Sequence, residues 1–162
     1  MGSNAYAHLA YGYHLGSGED FKAAERGEYG EPKLPWLPVD EDGDTDYSDF
    51  AEEVERRLLA SVGFTEEWAP GINFHEREKV AKEQIGVELT HSGHVDYPGW
   101  LLIASASETS VEWAQVMTLD PAEMIRQSNR ELWDTKLAAA VTTLGITPVQ
   151  HSPKWLVFPS YG

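Results

Sequence analysis

Between Glu19 and Glu55 the chain carries fourteen acidic side chains and only three basic ones, Lys22, Arg26 and Lys33. That stretch holds −11 of the formal net charge of −15, and the other 125 residues are nearly balanced, with thirteen acids and nine bases. The charge is therefore localised, and a localised charge produces a directed field. It repels nucleic acid and anionic membrane, and it attracts basic protein surfaces or divalent cations. Residues 16–46 of the same stretch are rich in Gly and Pro as well as acid. They read as one long connection, and any core must come from the residues on either side of it.

Those residues suffice. A chain of 162 residues suits one domain, here taken as 1–162, and folding at that length buries roughly 70% of the unfolded surface. Hydrophobic residues make up 41%, with six Trp, seven Tyr and five Phe. There is no Cys, which excludes disulfides, thiolate zinc sites and a Cys nucleophile. No apolar run approaches the ~18 residues that span a bilayer. The first residues lack a signal-peptide pattern, and Tyr6 occupies the position where a myristoylation signal wants Ser or Thr. These features lead to the expectation of a soluble cytoplasmic protein.

Periodicity supplies the elements. Residues 5–15 read as a strand, with Leu9, Tyr11 and Tyr13 on one face and His8 and His14 on the other. A helix is expected over 49–62, where Phe50, Val54 and Leu58 repeat every four residues. Asp49 and Glu52 have capping-box spacing, and Glu52–Arg56 and Glu53–Arg57 are favourable pairs. A second helix over 74–84 has a thin apolar face and ends at Gly86. Strands follow at 87–90, at the continuous apolar run 100–104, and at the alternating stretch 111–117. Asp120, Pro121 and Glu123 open a last helix, with Leu119 and Met124 at staple spacing, and it runs on through Leu132 and Leu144 to Gly145. A final strand covers 155–158, and Pro159 bars it from continuing as a central strand. The order predicts an α+β fold. Its sheet is mixed or mainly antiparallel, of four to five strands, with two to three helices on one face.

The chemistry-bearing patterns are few. Within the long connection Pro32, Pro35 and Pro38 favour polyproline II backbone. Leu34, Trp36, Leu37 and Val39 among them suit two roles, pinning the loop to the body or presenting a peptide to a partner. The first is the plainer reading. Asp42, Asp44 and Asp46, with Ser48 and Glu53, have the ligand spacing of a calcium loop. Tyr47 stands where that loop needs Gly, Asp49 stands where it wants an apolar residue, and the prolines oppose an entering helix. A weak divalent-cation site or a solvated acidic loop leading into a helix N-terminus is the remaining choice. His91, His94 and Asp96 offer two imidazoles and a carboxylate, a set that suits Zn, Ni or Fe, but in a Gly-containing turn rather than on one helix face. Turn residues bonded to backbone or water explain them equally simply. His8, His14 and His151 join such a site only through tertiary contacts. No G-x-S-x-G elbow, Walker loop or dinucleotide fingerprint is present. The basic residues Arg56, Arg57, Arg77, Lys79 and Lys82 are interleaved with Glu53, Glu55, Glu76, Glu78 and Glu83, which opposes nucleic-acid binding.

Two stretches, Ala10-Tyr11-Gly12-Tyr13-His14-Leu15-Gly16 and the run from Gly86 to Pro98, resemble a family of small uncharacterised proteins encoded by phages of actinobacteria. The resemblance covers about a fifth of the chain. It implies a phage-encoded protein made in the host cytoplasm and implies no activity. With the charge pattern, the expectation is a non-enzymatic acidic interaction protein, a nucleic-acid mimic or inhibitor whose partner is a basic host or phage protein. Trp36, Asp40, Asp42, Asp44 and Asp46 are its expected contacts. The alternative is a small metal-binding module or metal-dependent enzyme built on His91, His94 and Asp96.

Overall fold

Strand β1 (Ala5–Gly16) is paired along both of its edges. A computed structural model describes residues 4–16, 22–23, 25–26, 32–43, 46–94 and 99–161. After β1 come three two-residue strands, β2 (Lys22–Ala23), β3 (Glu25–Arg26) and β4 (Pro32–Lys33), then helices α1 (Phe50–Ser61) and α2 (Phe74–Ile85). Strands β5 (Val87–Ser92), β6 (Gly99–Ala104) and β7 (Thr109–Glu112) follow, with a 3-10 turn at Ser105–Ser107 between the last two. Helices α3 (Pro121–Arg130) and α4 (Trp133–Leu144) and strands β8 (Ile146–Thr147) and β9 (Lys154–Tyr161) complete the order. The expected α+β architecture is present, with a five-stranded antiparallel sheet of β1, β5, β6, β7 and β9. The short strands make two separate ladders, β2 with β8 and β3 with β4.

Two strands share one edge of β1. Gly12–Gly16 pair with β6 and Tyr6–Leu9 with β7, while β9 runs along the opposite edge from Ala5 to Gly12. The 3-10 turn inserts between β6 and β7 and would leave an unpaired amide on β1. Ser107, buried at 4% exposure, fills that gap. Its hydroxyl accepts from the Tyr11 N–H at 2.8 Å and donates to the Ala104 carbonyl at 2.6 Å. A buried backbone group is thus satisfied by a side chain where the ladder is interrupted. At the far end of β5, the Gly93 N–H donates to the Pro159 carbonyl at 3.1 Å. β5 and β9 sit at opposite edges of the sheet, so this bond shows the sheet curling until its edges meet at one corner.

Alternation along β1 divides the core. Tyr13 and Leu15 face α1 and α4 together with Leu102 and Val87, and Phe50, Val54, Leu58, Leu137 and Leu144 fill the space between. Ala10, on the other face, packs with Leu101, Ile103 and Phe158 inside the curl. Burial of a single ring such as Phe50 stabilises by about 1.5–3 kcal/mol, so the two clusters together dominate the fold.

Three expectations are corrected. The strand expected over 111–117 stops at Glu112, where Ala114 turns the chain at φ 67. The last helix is broken, because Leu132 takes a left-handed φ of 55 that separates α3 from α4. The final strand passes through Pro159 to Tyr161, which an edge strand allows because no amide is needed on its open side. At the helix starts, Asp120 caps α3 by accepting from Ala122 N–H at 3.0 Å, while Asp49 makes no side-chain cap on α1. Glu53 makes its ion pair with Arg56 at 2.7 Å, while its expected partner Arg57 attracts it without a direct contact of that kind.

At Gly12 the backbones of β1 and β6 approach closely. A Cβ there would sit 2.7 Å from the Ile103 Cα and clash with the Leu102 carbonyl. Neither neighbour is a movable side-chain tip. Gly12→Ala is therefore expected to lower the unfolding free energy by about 2–3 kcal/mol, read from the urea midpoint, and an unchanged midpoint contradicts this packing.

Candidate functional site

The acidic connection is anchored before it reaches α1. Leu34 and Leu37 are buried. The Trp36 indole N–H donates to the Leu144 carbonyl at 2.8 Å, its ring lies near parallel to Phe50 at 6.1 Å, and the Arg57 guanidinium sits 4.9 Å above it. Trp36 thus pins the loop to the body. Asp40, Glu41 and Asp42 are exposed beyond that pin. The Asp40 carboxylate accepts from Asp42 N–H at 2.9 Å, and Asp46 accepts from Ser48 N–H at 2.9 Å, a bond that holds the Asp46 carboxyl below its usual range. Both carboxylates shape turns. Asp44 lies outside the described residues.

His91 on β5 presents its ring edge-on to Trp100 at 6.2 Å, His94 is exposed just past the Gly93 bend, and Asp96 lies outside the described residues. Among the described residues no three His, Cys, Asp or Glu are placed to hold a metal ion. No helix among them is long and apolar enough to cross a membrane.

A cleft that periodicity did not reveal lies between α1, α2 and β5. Its volume is about 610 Å³, within the range of ligand sites. It exists because α2 has little to bury: only Ala81 is buried, and Val80 is 62% exposed. The helix is held instead by its rim. Lys82 Nζ meets Glu55 at 2.6 Å and Glu78 at 3.2 Å, Arg77 pairs with Glu66, and Phe74 tilts against Phe64 at 5.4 Å. Leu58, Leu59, Phe64, Ile85 and Val87 give the cleft an apolar lining. Five carboxylates (Glu52, Glu55, Glu66, Glu67 and Glu88) and two cations (Arg56 and Lys82) surround it, a formal excess of −3. Glu66 Oε2 is shielded from solvent without a hydrogen-bond partner among the described residues.

Glu88 joins this cleft to a second cluster. Although the residue as a whole is exposed, burial of its carboxyl and repulsion from Glu108 hold it above the usual carboxylate range. Glu108 in turn lies 3.0 Å from His8 Nδ1, and His8 Nε2 lies 2.6 Å from Ser160 Oγ. The His8 ring stacks on Phe158 at 5.1 Å, 10° from parallel. His8 was singled out only as a residue whose role depends on tertiary contacts, and these partners stand 100 and 152 positions from it. No spacing rule reaches that far. The strand register of β1 with β9, which the sequence did not reveal, is what brings His8 and Ser160 together.

No protein-family model, curated protein or solved structure matches the chain.

The raised Glu88 carboxyl has a defined pH signature. A group whose folded pKa lies above its unfolded value contributes fully at pH below the unfolded pKa, and the contribution is lost as pH rises through the folded pKa. Glu88→Gln, which keeps a hydrogen-bonding side chain, is expected to melt higher than the parent at pH 8, with the difference closing by about pH 4. Calorimetric melts across that range check it. A constant offset, or a lower Tm at pH 8, contradicts the assigned cause.

Proposed function

We propose that the protein is an acidic docking protein that receives a basic partner protein on the α1–α2 cleft and the loop leading into α1. One observation carries the reading. The cleft has an apolar floor and an excess of carboxylates around it, and the exposed acids Asp40, Glu41 and Asp42 lie on the connection that leads in sequence into α1, one of its walls. An apolar floor supplies affinity by burial. Carboxylates around it set orientation and speed encounter rather than add much binding energy. The partner this favours has Lys or Arg flanking an apolar anchor. A nucleic-acid-binding protein fits, with carboxylates taking the place of phosphates, and the resemblance to actinobacterial phage proteins puts that partner in a host cell.

A synthetic amphipathic Lys/Leu peptide serves as the probe, titrated calorimetrically at roughly 0.05 M and 0.5 M salt, where the screening length falls from above 10 Å to below 5 Å. Binding is expected to weaken at least about tenfold between the two. The variant Asp40→Asn, Asp42→Asn, Glu52→Gln, Glu67→Gln keeps the turn hydrogen bonds and removes charge, and it should flatten the salt dependence. No binding, or binding with the same salt response in parent and variant, contradicts the reading.

A further inference from the structure

We propose that Ser160, His8 and Glu108 form an acyl-transfer site in which Ser160 is the nucleophile, acting on a neutral or cationic carboxylic ester. The inference stands on three residues outside the docking cleft, which it meets only through Glu88, and does not depend on the docking reading.

Atom placement carries it. Glu108 Oε1 faces His8 Nδ1 at 3.0 Å, and Ser160 Oγ faces Nε2 at 2.6 Å. A carboxylate on Nδ1 holds the proton there, which leaves the Nε2 lone pair to accept from the Ser160 hydroxyl. That is the order a serine nucleophile needs, with base and orienting acid on opposite sides of one ring. Strand register enforces it. His8 lies opposite Phe158 and Tyr6 opposite Ser160, so His8 and Ser160 are diagonal neighbours on one face. Glu108 arrives from the residue after the 3-10 turn, held by its N–H to the Ser105 carbonyl at 3.4 Å. Phe158 beneath the ring limits its rotation.

The group is also reachable. The His8 and Glu108 side chains retain 17% and 29% exposure, and Ser160 is half-buried. Pro159 turns its carbonyl to the outer edge of β9, where it meets Gly93. By strand alternation the Tyr161 amide points to that same edge, where the parallel bridge between Gly93 and Ser160 pairs it with the Gly93 carbonyl, so the chain edge beside the nucleophile is fixed rather than free. The acids around the site, Glu88 and Glu108, disfavour an anionic ester.

The chemistry balances without a further reactant except water. Ser160 Oγ attacks the carbonyl carbon as its proton passes to His8 Nε2. The carbon–oxygen bond to the leaving alcohol breaks, and that oxygen takes the proton from Nε2. Water then gives a proton to Nε2 and its oxygen to the acyl carbon, the Ser160 ester bond breaks, and Oγ recovers its proton. Glu108 touches no reacting atom and is a positioning residue.

The test uses the full chain with a fluorophosphonate probe and p-nitrophenyl butyrate. A single adduct mapped to Ser160 is expected, absent in Ser160→Ala, with a labelling rate that rises as an imidazole deprotonates. Ser160→Ala and Glu108→Gln should each lose ester turnover at least about tenfold, and Glu108→Gln should also move the pH midpoint of labelling. Melting curves establish that both variants are folded. Should either unfold, the mapped adduct and its pH profile in the parent decide the matter alone. No adduct on the folded parent, an adduct at another residue, or undiminished turnover in folded Ser160→Ala overturns the proposal.

Discussion

Double-edged pairing of β1 is the constraint on which the rest of the structure depends. A strand paired on both sides and covered on both faces must supply apolar residues at odd and even positions alike. Leu9, Tyr13 and Leu15 do so at odd positions, and Ala10 does so at an even one. Gly12 lets β6 come close, and Ser107 repairs the ladder where β6 gives way to β7. With β1 in place, α1 and α4 have a surface to cover, and the curl encloses the second cluster without a helix. The same register sets Ser160 beside His8. Structure and candidate chemistry thus share one cause.

Much of this was legible in local pattern. Period-two alternation located β1 and assigned its faces, the four-residue repeat located α1, and the apolar run 100–104 marked a buried strand. Such signals are local, and the failures were tertiary. Leu132 breaks a helix that its own neighbourhood would continue, because the turn lets Trp133 reach the core at 1% exposure. Burying that ring against Tyr11 and Trp155 outweighs the strain of one left-handed residue. Pro159 was read as barring a central strand, and β9 is indeed an edge strand, but it runs on past the expected end at 158 to Tyr161, which depends on what pairs beside it.

The sites divide in the same way. Charge is countable from sequence, so the acidic connection was visible, and so was the thin apolar face of α2 that leaves the cleft open. Which acids turn outward was not visible, nor that Trp36 would close on Phe50 and Leu144. His91 and His94 looked suggestive because they are near in sequence. His8 looked plain because its partners are far away in sequence. Spacing favours local constellations, whereas a sheet assembles distant ones.

Native-state amide hydrogen exchange under increasing denaturant tests the central claim most directly. If β1 organises the molecule and α2 is held over its cleft mainly by rim contacts, the β1 amides exchange only through global unfolding. Those of Phe74–Ile85 then open earlier, with a smaller free energy and a shallower denaturant slope. Equal free energies and slopes for the two elements, or earlier opening of β1, would contradict the account.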